Sequence, residues 1–541
     1  MIRLFSSEPE KRVETHLDQE HSLIDTLDRM TEGQLWKVTL PSKGQYLISG
    51  QKEKSNIEVG SKWPFPDGSL SAIMLQDVTE ADMNIEALAS EISRVLSPDG
   101  ICLSLQLDAM QPVSKQAGHP QGIPPSTLVM AFESTGLFSR YDFLIDSGRF
   151  AVLSSQSKEK LNRYGKELCF RQPLPVVSCE EDQINVLPMA GIRFENTKLI
   201  LGENATLHLF NRSFDCMELN IFFDIEEVST ETAGVIFLNH FPCFYREALR
   251  GGPLIIDEIM VPPGGSQLRW QGPELHVKEM RIEAFRVNAT QFCEWLPFDQ
   301  YQRYWTITEA VKRAVKTSPR RILDIGGYPG LTQPFLPGDD IWVSDISPCD
   351  RPHYVRVVDV NLPFEDRFFD AVISTDTLEH IQREDRWKAV KEMVRVSKET
   401  VILGFPFEEG PAPFVDRLLD EYHRVELGVD FPFLREHIEL GLPSRQETIR
   451  WLEEMGLLVM NIPNAYAPTF LPMMRQEFFF LNQPKRHRMF REWNKYYNRQ
   501  FVQHDNREPA YRCILVAGRE KISFDDLLAR GSDIHQTIPI L

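Results

Sequence analysis

RILDIGGYPG, residues 321 to 330, sets one aspartate and three glycines within ten residues at the end of an apolar run. Glycine lacks a Cβ and tolerates positive φ. A strand that ends at Asp324 and turns through Gly326, Gly327 and Gly330 therefore lets a nucleotide cofactor lie against the backbone. A second run, IWVSD, ends at Asp345, 21 residues after Asp324. That spacing suits a carboxylate gripping the two hydroxyls of a ribose from the tip of the next strand. A third run, HYVRVVD, ends at Asp359, and a fourth is followed by TDTLEH, residues 375 to 380. Asp376, Glu379 and His380 there, with Glu436 and His437 in FPFLREHIELGLPS (431 to 444), are groups able to take a proton from an acceptor.

The elements that would hold these groups follow from periodicity. RRILDIGG reads as a buried parallel strand running straight into its turn. LPFEDRFFDAVIS, a helix ending KEMVRVS and the strand VILGF continue the strand and helix alternation of an α/β sheet. The same grammar stands about three hundred residues earlier as WPFPDGSLSAIML (63 to 75), NIEALASEISRVL and SPDGICLSLQL. Phe65 and Asp67 correspond to Phe364 and Asp366, Arg94-Val95 to Arg395-Val396, and Ser71 to Asp370. STLVMAFESTGLF and ETIRWLEEMGLLV extend this internal repeat, each an amphipathic helix whose C-cap glycine feeds a strand. The first copy has no glycine turn upstream of Trp63. Residues 9 to 30 read as a helix, followed by the short strands LWKVTL and QYLISG. Between the copies, short runs such as TKLILG, LNIFFDI and PLIIDEIMV, split by turn residues, read as an all-β sandwich or jelly roll.

A chain of 541 residues exceeds one hydrophobic core, and 42% hydrophobic with 25% charged residues is the balance of folded globular domains. The expected division is an α/β domain over 1–157, a linker over 158–179, the β-sandwich over 180–298, a second α/β domain over 299–520 and a tail over 521–541. The formal net charge of -19 repels phosphate backbones, which argues against nucleic acid as a partner. The eight cysteines show no CxxC pair and no Cys/His cluster at ligand spacing, so neither a metal site nor a disulfide framework is expected. Reduced cysteines, a start without an apolar leader and the absence of an apolar run of ~20 residues point to a cytoplasmic protein.

Taken together, the order of runs over 305 to 405, with its LPF-x-D-x-x-FD and LEH signatures, resembles the class I S-adenosylmethionine-dependent methyltransferases, particularly their small-molecule branch. Residues 440 to 518 resemble the family more loosely. The resemblance implies a Rossmann-like fold for the C-terminal domain, a partial and degenerate version of it for the N-terminal domain, and S-adenosyl-L-methionine as cofactor. Asp324, Gly326, Gly327 and Gly330 would frame the methionine moiety, Asp345 would hold the ribose, and Asp359 would sit at the adenine amino group. Ile346 and Thr375 join the cofactor set. Tyr328 stands where the family usually has glycine, and Pro329 stiffens the same turn.

Methyl transfer from a sulfonium is an in-line displacement that asks mainly for alignment and exclusion of water, with a base where the acceptor is a hydroxyl. His380, Glu379, Asp376 and His437 are the candidate catalytic residues; a local structural role competes for His380 and Glu379, because the family shares LEH across many acceptors, and for His437 the alternative is a solvated helix with Leu434, Ile438 and Leu440 packed beneath it. HIELGLPS resembles methyltransferases of bacterial surface-glycan loci, which implies a hydroxyl of a sugar or surface-glycan precursor as acceptor. Two alternatives stay open: a non-catalytic scaffold or glycan-binding protein with relic methyltransferase domains, and a methyltransferase of a lipid-linked or small non-sugar metabolite. The oligomeric state is left open.

PKRHRMFREWNKYYNRQF, residues 484 to 501, makes an amphipathic basic helix in which Phe490, Trp493, Tyr497 and Phe501 recur at helical spacing among the cations. It could dock peripherally on an anionic membrane, grip a sugar phosphate or cover the acceptor pocket, beside the structural alternative of a core-facing helix with a solvated face. In the β-rich middle, Trp270, Phe241 and Tyr245 are either glycan-binding aromatics or core.

Overall fold

The protein, as a computed structural model, is described over residues 35–520 with Phe524 and Leu527, apart from 43–44, 50–53, 59–61, 77–84, 108–127, 129–130, 133, 145–148, 158, 162, 164–176, 180–183, 189–190, 196–197, 212, 348, 350, 358–359 and 429–430. The helix expected over 9–30, most of the linker over 158–179, most of the tail over 521–541, and Asp359 lie outside the described residues.

The chain folds as two compact units, one up to Leu174 together with Tyr354–Arg356 and one over Pro175–His353 and from Val357 onward. The segments read from sequence as a β-sandwich and a second α/β domain thus share one unit. Seven strands form the C-terminal sheet: in chain order Arg321–Ile325, Asp340–Asp345, Tyr354–Arg356, Phe369–Thr375, Ser397–Pro406, Leu458–Tyr466 and Ala510–Gly518. In space they run third, second, first, fourth, fifth, seventh, sixth. The first strand pairs in parallel with the second and the fourth, the fourth with the fifth, and the seventh is antiparallel to both its neighbours. Parallel neighbours need crossovers that cover both faces, so these strands read as unbroken apolar runs: Ala371, Val372, Ile373 and Ile402 are all fully buried, and so are Ile514, Leu515, Val516 and Ala517 of the antiparallel seventh strand. One covering helix, Arg386–Val396, packs Ala389, Val390, Met393 and Val396 inward at helical spacing. From the first strand the chain runs outward one way to the second and the other way to the fourth. The crevice between the first and fourth strands is therefore the topological switch point, where open α/β sheets place ligands.

The N-terminal sheet repeats this order with Leu35–Ser42, Gln45–Ser49, Lys54–Glu58, Leu70–Gln76, Leu96–Leu107, Phe138–Leu144 and Arg149–Ser155. Its later half copies the pairing of the C-terminal sheet, parallel through the first, fourth and fifth strands, with an antiparallel seventh. Its first three strands are instead antiparallel to one another. Antiparallel neighbours connect through short turns, so the first three strands of this copy are not joined by the crossovers into which a nucleotide-holding glycine turn would lead.

One hydrogen-bond network is shared by both copies and explains the matched residues. Arg94 donates to the Phe65 carbonyl (2.8 Å), to Asp67 (2.6 Å) and to the Trp63 carbonyl (3.1 Å), while Glu91 receives the Trp63 N–H (2.9 Å). Arg395 does the same to Phe364 (2.7 Å), Asp366 (2.7 Å) and Leu362 (2.9 Å), and Glu392 receives the Leu362 N–H (3.1 Å). Asp370, the counterpart of Ser71, accepts from the Arg321 N–H at 2.8 Å and from Lys398 at 3.0 Å, so it staples the first strand to the fourth rather than meeting a ligand.

The β-rich middle is two sheets. One orders Ile192–Glu195, Lys198–Leu201, Leu275–Val287, Cys216–Val228 and Gly252–Val261; the other orders Phe241–Arg246, Gly234–Leu238, Gly264–Gln271, Thr206–Asn211 and Ile184–Pro188. Alternate residues such as Leu219, Ile221, Phe223 and Ile225 on the first sheet and Leu207, Leu209, Leu268 and Trp270 on the second meet in one apolar cluster. Trp270 is core: only 4% exposed, its indole N–H donates to the Pro273 carbonyl at 3.0 Å.

Candidate functional site

At the switch point, Asp324 closes the first strand with its carboxyl wholly buried. One oxygen accepts from the Thr332 hydroxyl at 2.6 Å, and the other is buried with no partner. Burial pushes Asp324 up to about 7, against the Thr332 hydrogen bond and the Arg351 charge, with Asp345 adding to the rise. Gly326 holds φ +72°, and a Cβ on it would lie 2.1 Å from the Thr377 hydroxyl. A Cβ on Gly327 would lie 2.4 Å from the Asp324 carboxylate. The turn is thus shaped for bare backbone beside an acceptor atom that awaits a donor. At the second strand's tip, Asp345 accepts from the Ser347 N–H (2.8 Å) and the Tyr328 N–H (3.1 Å), which ties the turn to that tip. Ile346 beside it is 68% exposed, an apolar face for a flat ring, and the hydroxyl of Thr375 across the crevice is buried without a partner. Asp324, Gly326, Gly327, Asp345, Ile346 and Thr375 therefore fit a nucleoside cofactor with a cationic tail.

Tyr328 is accommodated from outside the sheet. A Cβ on Gly265 would lie 3.2 Å from the Tyr328 ring and phenol oxygen and 3.3 Å from Cys349 Sγ. A Cβ on Gly264, at φ +122°, would lie 2.3 Å from the Pro329 carbonyl. Gly330, at φ +107°, faces the Pro263 carbonyl, 2.8 Å from where its Cβ would be. The Pro-Pro-Gly-Gly turn of the two-sheet segment is therefore a bed for the Tyr328–Gly330 loop, and its glycines make room for the larger side chain. Gly330 serves this contact, whatever else it frames.

The residues after the fourth strand divide into two groups. Asp376, at φ +49°, accepts from Arg303 (2.5 Å) and, with both oxygens, from Arg512 (2.6 Å each); Arg512 also reaches Asp299 at 3.0 Å. Burial alone would raise Asp376, but the Arg512 and Arg303 charges outweigh it and hold the carboxyl well below the usual carboxylate range. So held, Asp376 is an anchor and a poor base, which corrects its place among the catalytic candidates. Sequence reasoning passed over Arg512, although a lone arginine inside the apolar strand AYRCILVAG is a readable signal for a buried ionic partner.

The structure brings Glu379, His380 and His437 together: one ligand atom from each lies within 4.8 Å of the others. Glu379 is wholly buried with neither oxygen hydrogen-bonded, and burial, with the Asp376 charge, pushes it up to about 8. His437 turns Nδ1 to Asp416 at 3.0 Å and Nε2 towards Glu379 at 3.9 Å. Burial alone would lower its pKa; the Asp416 hydrogen bond and the Glu379 charge raise it above the ordinary histidine value. His380 pairs Nδ1 with Glu436 at 2.8 Å, and burial followed by the His437 charge lowers its pKa against the pull of Glu436. Buried Arg386 positions the cluster by donating to the Ile381 carbonyl (3.0 Å) and to the Gly441 carbonyl (2.5 Å) at the end of helix Pro432–Leu440. Asp416 was missed because nothing local in the sequence marks it.

The basic helix forms over His487–Gln500 with Phe490, Trp493 and Tyr497 buried. Most cations of this stretch meet protein partners: Lys485, just before the helix, with Glu247 (2.8 Å), Arg491 with Glu258 (2.6 Å) and the Trp295 ring, Lys495 with the same ring, and Arg499 with Glu294. Phe241 stacks on Phe490 and Tyr245 lies under Lys485, so both aromatics belong to this junction with the two-sheet segment. No helix among the described residues is long and apolar enough to cross a membrane.

A family model described as a methyltransferase domain matches residues 337–405. An uncharacterized methyltransferase of Mycobacterium sp. (strain JLS) is 25% identical over 206 residues, covering 33% of this chain and 80% of that protein. Among solved structures, magnesium protoporphyrin IX methyltransferase from Synechocystis PCC 6803 with bound S-adenosylhomocysteine is 15% identical, covering 43% of this chain and 95% of its own, at a TM-score of 0.26. A methyltransferase of Thermotoga maritima, described as a possible histamine N-methyltransferase, is 14% identical, covering 41% and 96%, at a TM-score of 0.25. With scores this low, the fold assignment rests on the chain's own strand order.

Proposed function

We propose, from the premise that the C-terminal part of this chain is a class I S-adenosylmethionine-dependent methyltransferase domain, that it methylates a hydroxyl of a sugar or surface-glycan precursor in the cytoplasm. The observation that carries the hydroxyl is the cluster of Glu379, His380 and His437 beside the cofactor crevice, because a weakly acidic hydroxyl, unlike a neutral amine with its free lone pair or a readily ionised thiol, needs help to shed its proton as it is methylated. The sugar follows from the likeness of HIELGLPS to glycan methyltransferases.

The bound cofactor supplies an electrophilic methyl on a good leaving group. The chain's residues do the rest. The free oxygen of Asp324 would receive the cofactor's ammonium, Asp345 the ribose hydroxyls, and Ile346 would cover the base. The crevice wall at Thr375 and the loop through Thr377 would position the cofactor beside the cluster, where the acceptor hydroxyl would lose its proton.

Calorimetric titration with S-adenosylmethionine tests the cofactor half: Asp345→Ala should weaken binding about tenfold to a hundredfold, the loss of ~1.5–3 kcal/mol of charge-assisted hydrogen bonding. Labelled-methyl transfer to a panel of nucleotide sugars tests the acceptor half, and transfer confined to amine or thiol acceptors would sink it.

Asp324 adds a pH dependence. Its folded pKa is raised, so its contribution to stability is full below the ordinary aspartate value of about 4 and is lost as pH rises to about 7. Cofactor binding runs the other way, because the ammonium needs the ionised carboxylate. Affinity should rise about tenfold per pH unit up to about 7 and fall again above about 8, where an α-amino group loses its proton. Asp324→Asn should flatten the rising limb, and an unchanged limb would show that another group controls it.

A further inference from the structure

We propose that Glu379, His380 and His437 form a binding site for a divalent transition ion of the Zn2+ class. Their ligand atoms already lie within 4.8 Å of one another, a spread that one ion can bridge with small side-chain adjustments. The independent observation is Glu379: it is wholly buried, and both its oxygens lack any hydrogen-bond partner. A buried carboxyl that meets no donor is a costly arrangement unless something cationic completes it.

The surroundings have the form of a metal site's outer shell. A ligating histidine gives its other ring nitrogen to a carboxylate, which fixes the tautomer and strengthens the ligand. Both histidines do this: His437 Nδ1 lies 3.0 Å from Asp416, and His380 Nδ1 lies 2.8 Å from Glu436. Donation from Nδ1 leaves Nε2 of each ring with a lone pair, and that of His437 points to Glu379 at 3.9 Å. Asp416 is itself oriented by the Tyr511 hydroxyl at 2.7 Å. Two imidazoles and one carboxylate suit Zn2+ and its neighbours rather than Mg2+ or Ca2+, which prefer oxygen alone. Three protein ligands leave a position open, as in catalytic rather than structural zinc sites.

Ion binding is independent of the acceptor's identity; a catalytic use for the ion rests on the hydroxyl reading above. An acceptor hydroxyl on the open position would be acidified, its proton leaving to solvent. The oxygen's electron pair then forms the bond to the methyl carbon while the carbon–sulfur pair departs with S-adenosylhomocysteine. Deprotonation would thus occur at the ion and spare the ring nitrogens.

The test uses the tag-free full chain, stripped with a chelator and titrated with Zn2+ against a chromophoric competitor, with cofactor binding measured on the same samples. One Zn2+ per chain is expected. Glu379→Gln and His437→Ala should each weaken it more than a hundredfold, and Asp416→Asn about tenfold to a hundredfold through the outer shell. His240→Ala, at an exposed position of the two-sheet segment, should leave it unchanged. Should His437→Ala fail to fold, the near-isosteric Glu379→Gln still decides. No stoichiometric Zn2+, or Zn2+ retained in Glu379→Gln, overturns the site. Intact cofactor binding beside a failed Zn2+ titration would leave the methyltransferase reading standing, and stoichiometric Zn2+ beside an inert hydroxyl panel would reject the acceptor instead.

Discussion

Arg512→Met lowers the stability of the C-terminal unit by about 3–5 kcal/mol, a larger loss than removing any surface ion pair would bring. The side chain of Arg512 is 1% exposed in the middle of an apolar strand, and its guanidinium spans Asp376 and Asp299, each 16% exposed. Removing it leaves two largely buried carboxylates facing Arg303 alone, which cannot serve both with the geometry it has: 2.5 Å to Asp376 but 3.4 Å to Asp299. For a unit of this size the loss corresponds to a fall in melting temperature of about 4–7 °C by circular dichroism. Arg512→Lys keeps the charge but cannot grip both oxygens of Asp376, so it should recover only part of the loss. The folded pKa of Asp376 is depressed, so its share of stability is full above the ordinary carboxylate range and is lost as pH falls below it. The gap between wild type and Arg512→Met should accordingly narrow in acid. A melting shift under about 2 °C at neutral pH would show that the pair contributes little.

Gly327→Ala weakens S-adenosylmethionine binding about a hundredfold. The added Cβ would sit 2.4 Å from the Asp324 carboxylate, whose position is fixed by full burial and by the Thr332 hydroxyl. Either the turn lifts or the carboxylate swings, and both displace the one acceptor atom left for the cofactor's ammonium. A lost charge-assisted hydrogen bond of ~1.5–3 kcal/mol, with strain of ~1–3 kcal/mol from overpacking, accounts for the size. Gly338→Ala is the control, since a Cβ there meets nothing within 4 Å. Equal titration curves for the two variants would place the cofactor elsewhere.

Much of the arrangement was legible because it is written locally. Strand periodicity, the glycine turn and the carboxylates at successive strand tips belong to contiguous segments. The internal repeat was readable as well, since Arg94 and Arg395 bind carbonyls about thirty residues upstream and so demand the same short motif in both copies. The antiparallel start of the N-terminal sheet was less legible: short strands look alike whether a turn or a crossover joins them.

By itself, then, the sequence determined the strand order's logic, the cofactor class and the positions able to move a proton, because backbone conformation and residue chemistry at a turn are local properties. Only the tertiary structure decided which ionisable groups are usable. It bound Asp376 to Arg303 and Arg512, left Glu379 buried without a donor beside its neighbour His380 and His437 from a distant segment, and bedded Tyr328 on Gly264 and Gly265. Those outcomes depend on burial and on through-space charge, which are set by contacts between segments far apart in the chain.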